Sequence, residues 1–230
     1  MEPPSAADKP LPGDRLRGSG YGLVLGLILV TLGFQLGATD TEWVRLVTIV
    51  LQSATLLAAL HVSGVPRWMF HAALVATGLA CLSVAGVLIG SGELGQAAAR
   101  SVGLLLVIGA PAAIVMGAAR HFRAVGGVTL TTMFAVLCIY LLLGMAYGYV
   151  FGIVGAVDSR PFFTAGQPET QSHFLYYSFT TVTTVGFGDF TARTDLGRSV
   201  TITEALIGQI YLVTVVALII GNMGRRPLRR

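Results

Sequence analysis

Six stretches of the chain are apolar over about the 20 residues that an α-helix needs to cross a bilayer: roughly 20 to 38, 43 to 62, 68 to 90, 101 to 119, 127 to 155 and 198 to 221. No run alternates regularly enough to suggest a barrel strand. Lipid offers no hydrogen-bond partner to an open strand edge, so helices are the spanning form this pattern supports. The pattern therefore predicts an all-α membrane protein with six transmembrane helices. A seventh apolar run, Ser172 to Thr183, is too short to span and follows a polar connection, 156 to 171, that contains Pro161, Gly166 and Pro168. Thr170 or Ser172 is placed to cap it, and it reads as a re-entrant helix between helices five and six.

Composition supports lipid as the solvent, with 54% hydrophobic and 11% charged residues and a mean hydropathy of +0.76, outside the usual soluble range. The net charge of +4 does not point to nucleic acid, because the basic residues sit in short loops and at the ends rather than in a stripe with interleaved aromatics. Of fifteen Lys and Arg residues, Lys9, Arg15, Arg17, Arg67, Arg120, Arg123, Arg225, Arg226, Arg229 and Arg230 fall on one side of a six-helix arrangement. Arg45, Arg100, Arg160, Arg193 and Arg198 fall on the other. The positive-inside tendency then predicts a multi-pass cell-membrane protein with cytoplasmic N and C termini and the loop holding Asp158 to Asp195 outside. A signal peptide over residues 15 to 39 is the competing reading, set aside because the apolar run is long for one and an even helix count fits the charges. Cys81 and Cys138 each lie inside an apolar run and read as packing residues.

Directly after the short apolar run stand Gly186 and Gly188, flanking Phe187 and followed by Asp189. Glycine permits positive φ, so a non-helical strand here can turn successive carbonyl oxygens to one side, where they can replace an ion's water shell. Irregular backbone at membrane depth is tolerated only when buried in protein or lining a watery path. The C-terminal end of the preceding helix adds negative partial charge that favours a cation.

Thr183-Thr184-Val185-Gly186-Phe187-Gly188-Asp189 is similar to the signature of potassium channels, and the resemblance covers roughly residues 127 to 221. It implies a selectivity filter in which the carbonyls of Thr184, Val185, Gly186 and Phe187, with the Thr184 hydroxyl, form stacked K+ sites. Gly188 and Asp189 complete the filter and its outer mouth, where the acid concentrates cations. One such stretch per chain implies a homotetramer. Gly208, 24 residues after Thr184, stands where the family's inner helix often carries a hinge; close helix packing explains a membrane glycine equally well.

Two positions depart from the family pattern. Phe187 replaces the commoner tyrosine, so its hydroxyl bond is missing and packing must brace the filter. Thr180 stands where some relatives carry a glutamate that partners the acid after the filter. Thr180 remains a residue of the short helix that can support the filter, together with Glu204. An acid two turns into the sixth helix is expensive, and Glu204 is expected to bond the hydroxyl-rich short helix, pair with Arg198, or meet a neighbouring subunit. His61, His71, His121 and His173 read as interfacial residues.

The chain then divides into a disordered cytoplasmic tail (1–18), a four-helix transmembrane domain (19–126), a pore domain (127–221) and a short basic cytoplasmic tail (222–230). The fourth helix, Ser101 to Ala119, carries no charge and contains Pro111, so the first four helices lack voltage-sensor charges and weak voltage dependence is expected. The Arg120–Arg123 linker reads as an interfacial segment able to touch anionic lipid. No cytoplasmic ligand domain is expected in this chain. No nucleophile with a base, paired carboxylates or phosphate loop suggests an enzyme, and no cofactor is expected beyond the permeant ion. The rival readings are a poorly selective cation channel and a proton-coupled transporter using Glu204.

Overall fold

The computed structural model describes residues 12–39, 41–64, 70–71, 74–75, 77–78, 103–117, 130–157 and 160–222. These form helices α1 (Pro12–Gly37), α2 (Glu42–Ser63), α3 (Gly103–Gly117), α4 (Leu130–Val157), α5 (Gln171–Val182) and α6 (Asp195–Ile210). A π-helical stretch, Tyr211–Val216, continues α6 into α7 (Ala217–Asn222). Four segments are long and apolar enough to cross a membrane: Gly20–Gly37, Trp43–Ser63, Leu130–Val157 and Asp195–Ile219. They coincide with four of the six predicted spans. α3 falls within a fifth but is shorter, and the predicted span 68 to 90 lies largely outside the described residues, as do the basic linker, the C-terminal tail and most of the N-terminal tail.

The ends of these helices follow from local chemistry. Gly64, at φ 61°, ends α2 in the left-handed conformation and returns its N–H to His61, which glycine adopts without a Cβ penalty. Thr170 and Thr194 stand in extended backbone before α5 and α6, each hydroxyl accepting an N–H of the first turn. That satisfies donors that no helical carbonyl can reach.

Small residues set how closely the helices approach. A Cβ on Gly144 would lie 2.9 Å from the Phe179 ring, and one on Gly148 would lie 2.8 Å from Leu175 Cδ2. The two glycines are one turn apart on α4, so they form a flat seat into which α5 drops its apolar side chains. α1 lies against both α2 and α4, and Val24, Ile28, Leu56, Leu106, Ala135 and Leu142 share one buried core.

The connection from α4 to α5 is less polar in space than its sequence suggests. Phe162 and Phe163 turn fully inward and join Phe151, Phe174 and Tyr177 in a second aromatic core, with ring centroids 4.9 to 5.9 Å apart. An antiparallel bridge pairs Phe163 with Ala192, tying the connection before α5 to the one that follows it. Two phenylalanines among prolines and polar residues are too short a run to register as an element, and only the fold places them beside α5. The π-helical stretch was equally invisible to hydropathy, because a change in helical period leaves the apolar character of Tyr211–Val216 intact.

Candidate functional site

The site grows from the C-terminal end of α5. Thr183 N–H donates to Phe179 at 3.2 Å, Thr184 N–H to Thr181 at 2.9 Å and Gly186 N–H to Thr180 at 3.0 Å. The next residues thus leave the helix as an extension anchored by its amides. Along this extension φ is positive at every second residue: 61° at Thr184, 51° at Gly186 and 81° at Gly188. An ordinary strand points its carbonyls alternately to opposite sides; inverting φ at alternate residues turns them toward one side. Glycine adopts the inverted form freely, whereas a β-branched threonine does so at a cost that recurs at functional sites. The segment is exposed in the single chain, with Val185 at 54% and Phe187 at 70%.

Behind it, the end of α5 is clamped by aromatic side chains. The Tyr140 hydroxyl of α4 donates to the Val182 carbonyl at 2.9 Å, and Tyr140 stacks on Tyr211, with centroids 5.8 Å apart. The Tyr211 hydroxyl in turn donates to the Val136 carbonyl at 2.8 Å. Gly208 lies against the same point: a Cβ there would be 2.6 Å from Val182 Cγ2 and 2.7 Å from the Val182 carbonyl oxygen. The geometry at Gly208 is one of close approach between α6 and the end of α5.

Glu204 is fully buried, at 0% exposure. Its Oε1 meets the Ser178 hydroxyl, whose oxygen also lies 2.6 Å from the Gly144 carbonyl, so three helices meet at one polar point. Glu204 Oε2 has no hydrogen-bond partner among the described residues. Of the partners expected from sequence, the short helix is the one found. Arg198 instead stands 4.0 Å from Asp195 and donates to the Ala192 carbonyl. Tyr177 and Thr201 join their hydroxyls at 2.8 Å one turn away, a second polar tie between α5 and α6.

Asp189 also finds a partner. The Tyr176 hydroxyl donates to its Oδ2 at 2.8 Å, and the Tyr176 ring stacks on Phe187, nearly parallel at 8° with centroids 6.4 Å apart. Gln167 donates its amide to the Asp189 carbonyl at 2.5 Å. Thr180 does not reach Asp189; its hydroxyl returns to the Tyr177 carbonyl at 2.9 Å. The side chain that sequence reasoning missed is therefore Tyr176, and a signal for it was available. It lies one helical turn before Thr180, on the face already aimed at Asp189. By accepting this bond, the Asp189 carboxylate holds the Tyr176 pKa above the usual tyrosine value of 10.0. A raised tyrosine pKa means that the tie is complete below the ordinary value and is lost only as pH climbs through the raised one.

Long apolar helices thus accompany a short capped helix that is followed by a segment of alternating positive φ. Residues 135–225 match the family model described as Ion channel. Over 86 residues, 36% of this chain, the sequence is 40% identical to Probable potassium channel protein 2 of Methanocaldococcus jannaschii. The chain spans 21% of that relative's length. The likeness of this chain to ion channels is thus carried by residues 135–225, and the relative it resembles there is described as a probable potassium channel.

Two outcomes follow for the contacts behind the segment. Tyr176→Phe keeps the ring stack and deletes the bond to Asp189; hydrogen exchange of the Gly186 to Phe190 amides at pH 7 should show decay of protection several-fold faster than in wild type. Equal decay rates would show that the bond does not brace the segment. Ser178→Ala strands the buried Glu204 carboxyl, a loss on the order of 1–3 kcal/mol. Its thermal midpoint in detergent should fall below those of both wild type and Glu204→Gln, which retains a hydrogen-bonding amide; a midpoint equal to wild type would count against the three-helix junction.

Proposed function

We propose that this chain is one subunit of a potassium-selective channel in which four copies surround an axis lined by the Thr184 to Phe187 carbonyls. The observation that carries the reading is the alternating positive φ at Thr184, Gly186 and Gly188. It aligns oxygen donors, the ligands a hard alkali cation takes in place of water, directly beyond the negative end of α5. Thr184, Val185, Gly186 and Phe187 line the ion path, and Gly188 and Asp189 form its outer mouth. Thr180 supports it by accepting the Gly186 N–H, and Glu204 supports it through Ser178. The residues Ile202, Leu206, Ile210 and Val213 form an exposed apolar stripe along the last helix. Only 11% of Asp195–Ile219 is buried within one chain, against 56% of Leu130–Val157. Neighbouring copies supply the missing cover, which supports the tetramer.

Potassium passes passively down its electrochemical gradient. α5 is the pore helix, Asp195–Ile219 the inner helix and α4 the outer helix of a six-span subunit, with both termini cytoplasmic and the filter loop outside. Gly208 serves close packing against Val182, and the π-helical stretch beginning three residues later offers a bend in the inner helix. Glu204 engages Ser178, so it is tied into the support of the filter rather than presented to a carrier pathway, which disfavours the proton-coupled transporter.

Flux from proteoliposomes under opposing potassium and sodium gradients tests the reading, with Gly186→Ala as the control. Potassium flux should exceed sodium flux by orders of magnitude in wild type and collapse in the variant, whose Cβ meets open space but requires φ 51°. Equal permeability would leave a poorly selective cation channel, and unchanged flux in Gly186→Ala would reject the assigned path. Because α3 carries no charged residue, and one charge across 100 mV is worth about 2.3 kcal/mol, conductance should change only shallowly with voltage in planar bilayers. A steep sigmoid would overturn that expectation.

A further inference from the structure

The helices before α4 carry buried polar side chains that neither the filter nor its support uses. On α2, Gln52 is 3% exposed and Tyr149, 97 residues later on α4, is 4% exposed. The Gln52 amide donates to the Tyr149 hydroxyl at 2.5 Å. α3 makes room for the ring at Gly103, where a Cβ would lie 2.6 Å from Tyr149 Cε1. One side chain of α4 is therefore lodged between two of the preceding helices and held by a directional bond.

We infer that Tyr149 is the positioning residue through which α2 acts on the pore, and that the Gln52–Tyr149 hydrogen bond is the link that is made and broken. The inference rests on the channel reading given above. Three observations carry it. The first is the burial of the bond: amide and phenol are both shielded, so breaking it costs the Gln52 amide a partner that bulk water does not replace.

The second is a substitute beside it. Gln52 lines a cavity of about 10 Å³, with Thr31, Thr55, Leu106, Leu142 and Met145 among its walls. That is about the space of one water molecule. Gln52 Oε1 has no hydrogen-bond partner among the described residues. A tie packed solidly on all sides would be permanent; here the Gln52 amide has room to turn into the cavity, where a water can bond it.

The third is the path onward. Gly148, next to Tyr149, seats Leu175 of α5, and Gly144, one turn earlier, seats Phe179. The Gly144 carbonyl also meets the Ser178 hydroxyl at 2.6 Å. α4 is thus fastened to α5 on one side and to α2 on the other within about one helical turn. A displacement of α2 reaches the base of the filter through rigid, close-packed groups. It needs no charge on α3, and so suits a channel whose described peripheral helices carry little voltage leverage.

Single-channel recording of Gln52→Leu, Tyr149→Phe and the double variant tests this. Each single variant should shift open probability at least threefold in the same direction, with unitary conductance and potassium-to-sodium selectivity unchanged. The double variant should match Tyr149→Phe, because the Gln52 amide has then already lost its phenol partner. A merely structural tie would alter the number of channels but not the open probability of each. Unchanged open probability, or effects that multiply in the double variant, would overturn the link. Hydrogen exchange of the Gln171–Val182 amides in reconstituted protein reads the same coupling without current. Exchange should be faster in Gln52→Leu than in wild type, and identical protection would also overturn it. Loss of potassium selectivity in wild type would instead refute the channel reading and leave both comparisons measurable.

Discussion

Backbone carbonyls turned to one side of a strand cannot satisfy one another, and everything around Thr184 to Phe187 answers to that constraint. In lipid an unpaired carbonyl is costly, so such a segment persists only beside water, ions or other protein. Two of its N–H groups, those of Thr184 and Gly186, fasten it to the end of α5, and in the proposed reading its oxygens turn to something outside the chain. The proposed tetramer supplies it: four such segments face a common axis, and a cation takes the place of the missing partners.

Holding that segment requires its base to stay still, and the structure meets this from three directions. Tyr140 and Gly208 close on the Val182 carbonyl from two different helices. Ser178 joins α5 to α4 and α6 in the middle. Tyr176 holds Asp189 and stacks on Phe187 at the far end. The absence of a tyrosine hydroxyl at 187 and of a carboxyl at 180 is therefore offset by one side chain that contributes both a hydrogen bond and a ring face. The aromatic core around Phe162 and Phe163 gives α5 its other wall, so the short helix is enclosed although it spans nothing.

The helices before α4 join the same frame through a shared core and through the Gln52–Tyr149 bond. Their shared core with α4 is mostly apolar and non-directional, whereas the Gln52–Tyr149 bond has a fixed geometry and a neighbouring void. Where packing is dense and polar groups are satisfied, motion is expensive. Where a bond can be exchanged for water, it is not.

Much was legible from residue order alone. Apolar run length marked the helices that are long enough to span, because the requirement is set by bilayer thickness rather than by partners. Gly186 and Gly188 announced the inverted backbone, since their lack of a Cβ is a property of the residues themselves. The need of Glu204 for a polar partner was also evident, but which partner was not. Burial states only that a carboxyl must be satisfied, and Ser178, Arg198 and a second subunit were all within sequence reach. Tertiary structure chose Ser178, drew Phe162 and Phe163 out of a polar connection, set Tyr176 against Asp189, and brought Tyr149 to Gln52. Each of these depends on which faces of different helices meet, a matter of crossing angle and small-residue seats on both partners. Hydropathy and local spacing report one helix at a time, and so could not contain it.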